Sequence, residues 1–432
     1  MKRFVNIAVL LLLPLVAAFA QEDKPKRKIQ FKPYGFIRNY YAFDTRESVA
    51  LTEDFFYYVP KDVELNSEGE DINEHPSFRF AAITSRIGLD ITGFSLGNWD
   101  FGAKFEMDFY AGLSATSADP ETKSSLTGTA QLRLRQAFVS AGNGTFLFKA
   151  GQAWHPMAAD MPHVLSLNTG APFGPFSRTP LVSADWNIYK TGLSLSAAVI
   201  WQMQYTSTGP YGASANYIRN GGCEFYGGLN YKNGGFLARA GVDVLHITPR
   251  LIDDAKLKVS EGITTWSPFA YVQFTSGQFQ VKAKTIFAQG GEHMNLNGGY
   301  AVCGVKSDGK SLLYTPTRNS STWVSMQYAP GKWQFSLFGG YVKNFGTMQA
   351  ITSASDLYFS KNSFKNLNSM WRVTPTIAYN FGKRFTIGVE YELTCVQYGD
   401  IKAPINLRTG LYDTGIHDVT NHRVLGLIKF TF

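Results

Sequence analysis

Arg133 and Arg135 stand two residues apart in Leu132-Arg133-Leu134-Arg135-Gln136-Ala137-Phe138. Successive side chains of an extended strand point to opposite faces, so both guanidiniums share one face. Lys149 follows on the partner strand across the Gly142-Asn143-Gly144 turn. A strip of such cations offers donors to carboxylates or phosphates. The same cations could instead pair with Glu106 and Asp108, which would only keep a wall hydrated; both arrangements satisfy the sequence.

Other chemistry is sparse. The Gly-x-Ser-x-Gly match at Gly93-Phe94-Ser95-Leu96-Gly97 falls in a tight turn between two predicted strands, not at the strand-to-helix elbow a nucleophile needs, and no catalytic set is expected. His155 and His163 share a segment with Asp160, but their spacing and the intervening Pro156 and Pro162 fit no standard metal site. They read as solvated or packed histidines, and Glu292-His293 beside Gly290-Gly291 reads as a loop feature. The acidic stretch Glu64 to Glu74 could offer oxygens to Ca²⁺ or be a solvated loop tip. Cys223, Cys303 and Cys395 are odd in number and widely spaced, with neither a disulfide framework nor a metal spacing. The expectation is therefore no enzyme, no metal and no cofactor.

The elements that must position these residues alternate with period 2. Ala81, Ile83, Ile87, Leu89 and Ile91 alternate with Thr84, Arg86 and Asp90; Phe101, Ala103, Phe105, Met107 and Phe109 alternate with Lys104, Glu106 and Asp108. The pattern recurs through Phe236–Val244 and Phe385–Leu393. About 16 strands are predicted, near 31–44, 79–93, 98–112, 131–142, 144–154, 180–189, 192–205, 223–232, 235–247, 262–275, 278–289, 320–329, 332–345, 369–382, 384–400 and 421–432. Tight turns rich in Gly, Asn and Pro alternate with long polar connections. That is the rhythm of an up-and-down antiparallel transmembrane β-barrel, with short turns on the periplasmic side and long loops outside.

Composition agrees. Charged residues are 17% and aromatics 15%, against ~25% charged in soluble domains. Lys2-Arg3, the apolar run Phe4–Val16 and Ala18-Phe19-Ala20 predict a cleaved export leader at 1–20. Residues 21–30 would form a short periplasmic segment, too short for a plug, and 31–432 the barrel. No later run of 18 apolar residues suits a membrane helix. Loss of Lys2 and Arg3 takes the net charge from +8 to +6. An exported chain makes nucleic acid an improbable partner, so attraction of small anions is the simpler meaning of that charge. The final strand runs Val424, Gly426, Ile428, Phe430 and Phe432 along one face, as in the closing strand of an outer-membrane barrel. A large secreted sandwich or a propeller is the soluble rival. No repeat of ~40 residues supports the propeller, and a sandwich would need a core to cover its aromatic faces.

In a barrel of this size the interior is an aqueous channel, and apolar faces meet lipid because charge there is costly. The inner wall should therefore carry Arg38, Arg86, Lys104, Arg133, Arg135, Lys149, Arg239, Lys282, Lys284 and Arg372, with Asp90, Glu106, Asp108, Asp243, Glu390 and Glu392. Base outweighs acid in that set. The segment 155–179 is rich in Pro and apolar residues and poor in charge, which suits a constriction loop folded into the barrel; packing against other outer loops or a neighbouring subunit is the alternative. Trp99, Trp154, Trp186, Tyr189, Tyr231, Tyr328, Trp333 and Tyr379 fall at strand ends, where aromatic girdles form. An aromatic slide for sugars, resting on Trp323 and Tyr34, is the functional rival.

Tyr34-Gly35-Phe36-Ile37-Arg38, Arg133-Leu134-Arg135-Gln136-Ala137-Phe138, Gly151-Gln152-Ala153-Trp154, and Pro172 with Arg178-Thr179-Pro180 resemble the trimeric outer-membrane porins of the DcaP type. The resemblance is densest over 130–190. It implies a 16-stranded homotrimeric channel with a basic lumen, favouring small anionic solutes such as dicarboxylates. The N-terminal coiled-coil segment of some members has no counterpart in Gln21–Gln30, so trimerisation would rest on the barrel walls. A looser resemblance to phosphate-selective and general porins leaves the solute open. The expected function is passive diffusion of small hydrophilic solutes across the outer membrane; the rival is an adhesin or structural barrel with a closed lumen.

Overall fold

The computed structural model describes residues 28–49, 59–82, 84–110, 131–166, 170–202, 204–205, 207–212, 222–360 and 363–432. The expected leader at 1–20 lies outside the described residues, as does the whole connection between the strands expected at 98–112 and 131–142.

Nineteen strands occur among the described residues: β1 (Gln30–Asp44), β2 (Ser77–Ala81), β3 (Arg86–Leu96), β4 (Trp99–Tyr110), β5 (Gln131–Gly142), β6 (Phe146–Trp154), β7 (Arg178–Asn187), β8 (Leu193–Ile200), β9 (Glu224–Asn233), β10 (Phe236–Ile247), β11 (Ile263–Ser276), β12 (Phe279–Gln289), β13 (Gly299–Val305), β14 (Leu312–Tyr328), β15 (Trp333–Thr347), β16 (Leu357–Phe359), β17 (Leu367–Phe381), β18 (Phe385–Tyr398) and β19 (His417–Thr431). Each pairs antiparallel with its neighbours, and β1 closes on β19 with Phe36 opposite Thr431. The closure ends on reciprocal bonds between Gly35 and Phe432: each backbone N–H donates to the other's carbonyl, at 3.1 and 3.0 Å. Gly35 is needed there, because a Cβ would meet the Arg86 carbonyl at 2.4 Å and the Phe432 ring at 2.6 Å.

β2 and β3 are one wall strand broken at 82–85, both pairing with β1. The break falls where Ser85 Oγ takes the Arg38 backbone N–H at 3.1 Å and donates to the Ala82 carbonyl at 2.9 Å, replacing ladder bonds. β13 and β16 pair beside the outer end of β14, away from the main wall. The wall is thus a closed barrel of 16 strands, as the alternation predicts. The β13–β16 pairing lies in connections read from sequence as loop.

The wall has two unlike faces. Ile37, Phe105, Leu132, Leu134, Val139, Val182, Val272, Phe335 and Val389 are among the exposed outward side chains. A contiguous apolar exterior of this extent is what a lipid belt requires. At the short-turn end the aromatics gather, with Phe146 stacked on Trp186 at 6.3 Å and Trp333 edge-on to Tyr379 at 4.8 Å. Trp154 departs from its expected place in that girdle: it packs edge-on to Phe176 at 5.3 Å, on the inward side.

The principal core lies inside the barrel. The connection between β6 and β7 crosses the interior, and its Met157, Ala171, Phe173 and Phe176 are buried against Phe269, Ile286, Trp323, Phe338 and Met370 of the far wall. The apolar, proline-rich composition of that connection is explained by this burial. Gly340 and Gly174 permit it, since a Cβ at either would meet Phe173 at 2.4 Å or Trp323 Nε1 at 2.7 Å.

Candidate functional site

A basic cluster is built on β1, β3, β4, β5 and the start of β7. Register sets the first row: Arg86 is opposite Asp108, and Asp108 opposite Arg133. A bulge then intervenes, because Met107 pairs with Leu134 while Glu106 pairs with Gln136, leaving Arg135 as the extra residue. The bulge turns Arg135 and Gln136 inward together, beyond what strict alternation provides.

The carboxylates sit beneath this row. Arg133 donates from Nε to Asp108 Oδ1 at 2.9 Å and from Nη2 to Oδ2 at 3.0 Å, a bidentate pair. Arg135 reaches Glu106 at 2.8 Å and Asp108 at 2.6 Å. Arg86 lies 3.6 Å from Glu106, and Gln136 donates to the same carboxylate at 3.3 Å. Lys104 is engaged apart, with Asp90 at 2.6 Å and the Tyr34 hydroxyl at 2.9 Å.

Two arginines in the cluster have no carboxylate partner among the described residues. Arg38 donates from Nε to Thr84 Oγ1 at 2.7 Å and lies over the Phe36 and Tyr40 rings at 4.9 and 5.0 Å. Arg178 is buried over the Trp154 and Phe176 rings at 4.9 and 5.5 Å, with its Nη1 making no hydrogen bond to a described residue. Aromatic faces partly compensate such cations but do not cancel their charge. Five arginines (38, 86, 133, 135, 178) against two carboxylates (106, 108) leave an excess of three positive charges at one stretch of wall.

The remaining cations named from sequence divide differently. Lys149 and Arg239 line a cavity of about 810 Å³ with Ser183, Ser194, Ser196 and Asn230. Arg239, Lys282, Lys284 and Arg372 hold the crossing connection. Arg239 pairs with Asp160 at 3.0 Å, Lys282 donates to the Met161 carbonyl at 3.1 Å, and Lys284 donates to the Met157 carbonyl. Arg372 donates to Thr394 at 2.8 Å and lies over the Phe173 ring at 5.4 Å. Lys284 and Arg372 are buried, so they sit on the inner wall without facing water. The reason is general: backbone carbonyls carried into an interior need donors, and the wall supplies them.

The far end of the connection is latched by Glu390, which accepts the Leu165 N–H at 2.6 Å and the Ser166 N–H at 2.9 Å. The Tyr40 hydroxyl donates to the Leu165 carbonyl at 2.9 Å. His163 is bonded to Gln280 at 2.6 Å; burial, aided by Lys282, pushes it down to about 4, so it is neutral near pH 7. Trp323 is buried beneath the same connection, and the Tyr34 ring packs against Gly88 with Lys104 Nζ 4.5 Å from its centroid. Neither therefore presents an open aromatic face for a sugar.

Sequence reasoning missed three features. Arg178 stood in a motif yet was not placed with the cations, although it opens a strand beside Trp154. The Glu390 latch had no sequence signal. His155, read as solvated or packed, is buried with Glu224, Asp243 and His293.

A family model described as "Gram-negative porin" matches residues 16–394. No curated protein matches the chain in a sequence search. Among solved structures, the chain is similar to the outer-membrane channel DcaP of Acinetobacter baumannii, with 18% identity, TM-score 0.64, and coverage of 95% of this chain and 99% of that one. It is also similar to an anion-selective porin from Comamonas acidovorans, at 12% identity and TM-score 0.53, covering 94% and 100%. A third is OmpT of Vibrio cholerae in a trimer form, at 10% identity and TM-score 0.50, covering 94% and 99%.

Proposed function

The chain belongs to the Gram-negative porin family and is an outer-membrane channel; from that premise we propose that it passes small hydrophilic solutes by diffusion and prefers anions such as carboxylates or phosphate. The observation that carries the preference is the excess of three positive charges at the 38–178 cluster, two of them on arginines without a carboxylate partner among the described residues. An anion beside this stretch meets a favourable potential and a cation an unfavourable one. Guanidinium forks suit carboxylate and phosphate oxygens geometrically.

In this reading residues 155–179 act as a constriction loop, confining solutes to the space left beside Arg38, Arg86, Arg133 and Arg135. Lys149 and Arg239 then line the vestibule on the other side of the loop. The anion-selective Comamonas porin supports the preference by likeness of fold. The trimer form of the Vibrio protein supports assembly as a homotrimer through the barrel walls. Residues 1–20 would serve as the export signal.

The test is single-channel current in a planar bilayer under a salt gradient. Reversal at the sign of anion flow, weakened when Arg38 is replaced, is the expected result. Cation-selective or non-selective reversal from a folded, conducting protein overturns the preference.

A further inference from the structure

Four side chains from four places in the chain meet at the root of the crossing connection. His155 follows β6, Glu224 opens β9, Asp243 lies on β10, and His293 sits in a short turn between β12 and β13. All four are buried. His155 Nε2 is 2.6 Å from Glu224 Oε1 and 3.7 Å from Asp243 Oδ1. His293 Nε2 is 3.1 Å from Asp243 Oδ2 and 3.8 Å from Glu224 Oε1. Donor atoms of His155, Glu224 and Asp243 all lie within 4.8 Å of one another.

Asp243 Oδ1 is buried with no hydrogen-bond partner among the described residues. An ionised carboxylate oxygen left bare in such a place is costly. The cluster's donors are two imidazoles and two carboxylates, the borderline set that first-row divalent ions take. Two carboxylates with two neutral imidazoles also balance one divalent charge. Around a tetrahedral ion with bonds of ~2.0–2.1 Å, neighbouring donors stand about 3.3–3.4 Å apart; the four imidazole–carboxylate separations here run from 2.6 to 3.8 Å. Gln202 Nε2 steadies Glu224 from behind at 3.2 Å, as outer-shell partners do at metal sites. His293 is turned toward the cluster by left-handed backbone on both sides, Gly291 at φ 85° and Asn295 at φ 62°.

We propose that His155, Glu224, Asp243 and His293 form a structural site for a divalent first-row transition-metal ion, with Zn²⁺ the best fit. The ion would fasten the root of the 155–179 connection to the wall and to the outer connection at 290–298, which already meet where Phe176 N–H donates to the Met294 carbonyl at 2.8 Å. His155 Nδ1 accepts the Met157 N–H at 3.2 Å, which places the ring proton on Nε2. Binding at Nε2 moves that proton to Nδ1 and gives up this long contact. Protons on the imidazoles are the competing source of positive charge.

The test uses the full protein in detergent, stripped with a chelator and titrated with Zn²⁺ alone, with bound metal counted per chain. One tightly held ion is expected, with affinity reduced at least ~10–100-fold in H293A and in D243N. Exposed His75 and His246 would contribute only weak uptake, equal in both variants. Absence of a stoichiometric ion, or uptake unchanged in both variants, overturns the site and leaves protonated imidazole–carboxylate pairs. Should a variant fail to give a heat-modifiable barrel, the visible spectrum of the Co²⁺-loaded natural protein decides. Tetrahedral bands support the site, and the spectrum of the hydrated ion overturns it. Neither result depends on ion selectivity.

Discussion

Arg38→Gln removes one of the three excess charges while sparing every carboxylate pair in the cluster. Arg38 contacts Thr84, Phe36 and Tyr40, and no carboxylate among the described residues. Glutamine keeps a donor for Thr84, so the fold should persist. For a monovalent ion passing at ~6 Å in a water-like dielectric, one charge is worth about 0.7 kcal/mol. The sign is opposite for anion and cation, so the permeability ratio should shift by about 1.4 kcal/mol, or about tenfold. Screening at 0.1 M salt, where the Debye length is ~10 Å, trims this to a few-fold, and at 1 M, with ~3 Å, it should nearly vanish. Reversal potentials of natural and variant protein in bilayers at both salt levels measure it. A folded, conducting R38Q with unchanged reversal potential at 0.1 M refutes the assignment of selectivity to this cluster.

Glu390→Gln tests the latch. Its carboxylate bonds to Leu165 and Ser166 N–H fall from about 1.5–3 kcal/mol each toward about 1, and the new NH₂ would face one of those donors. Noisier single-channel current and faster proteolysis within 155–179 are expected; a quiet, protected channel argues against it. Phe173→Ala removes a ring buried at 0% exposure, at a cost of about 3–5 kcal/mol, and Gly340→Val overpacks the same contact at about 1–3 kcal/mol. Both should raise conductance by freeing the loop, and unchanged conductance in both would mean that the loop does not narrow the path. In the outer loop, burial raises Asp71, but its Arg46 partner at 2.7 Å and the Glu64 and Asn73 N–H groups together lower it more, so its net shift is downward. The stability it adds is present above the usual carboxylate range and lost as pH falls through the lowered value. Amide exchange across 59–76 should therefore quicken only at distinctly acid pH.

Much of the architecture is local information. In β5 the side chains Leu132 and Leu134 point out and Arg133 in because a strand repeats every two residues. The rhythm of short turns and long connections then orders the wall. The break at 82–85 and the β13–β16 pairing were not legible, since each depends on hydrogen bonds to distant segments. Nor could sequence divide the cations by role: Lys284 and Arg133 both fall on the charged face of an alternating strand, yet one holds a loop carbonyl and the other forks onto Asp108.

The sequence by itself determined a closed antiparallel barrel, the face that residues of its regular strands take, and an unusually apolar connection after β6. Those follow from period, turn chemistry and composition, which act over a few residues. Only the tertiary structure decided where that connection crosses, that a bulge brings Arg135 and Gln136 to the same side, and that His155 meets Glu224 across 69 positions of chain. Strand register and loop docking bring together residues far apart in the chain, and no local pattern encodes which distant partner a buried side chain will meet.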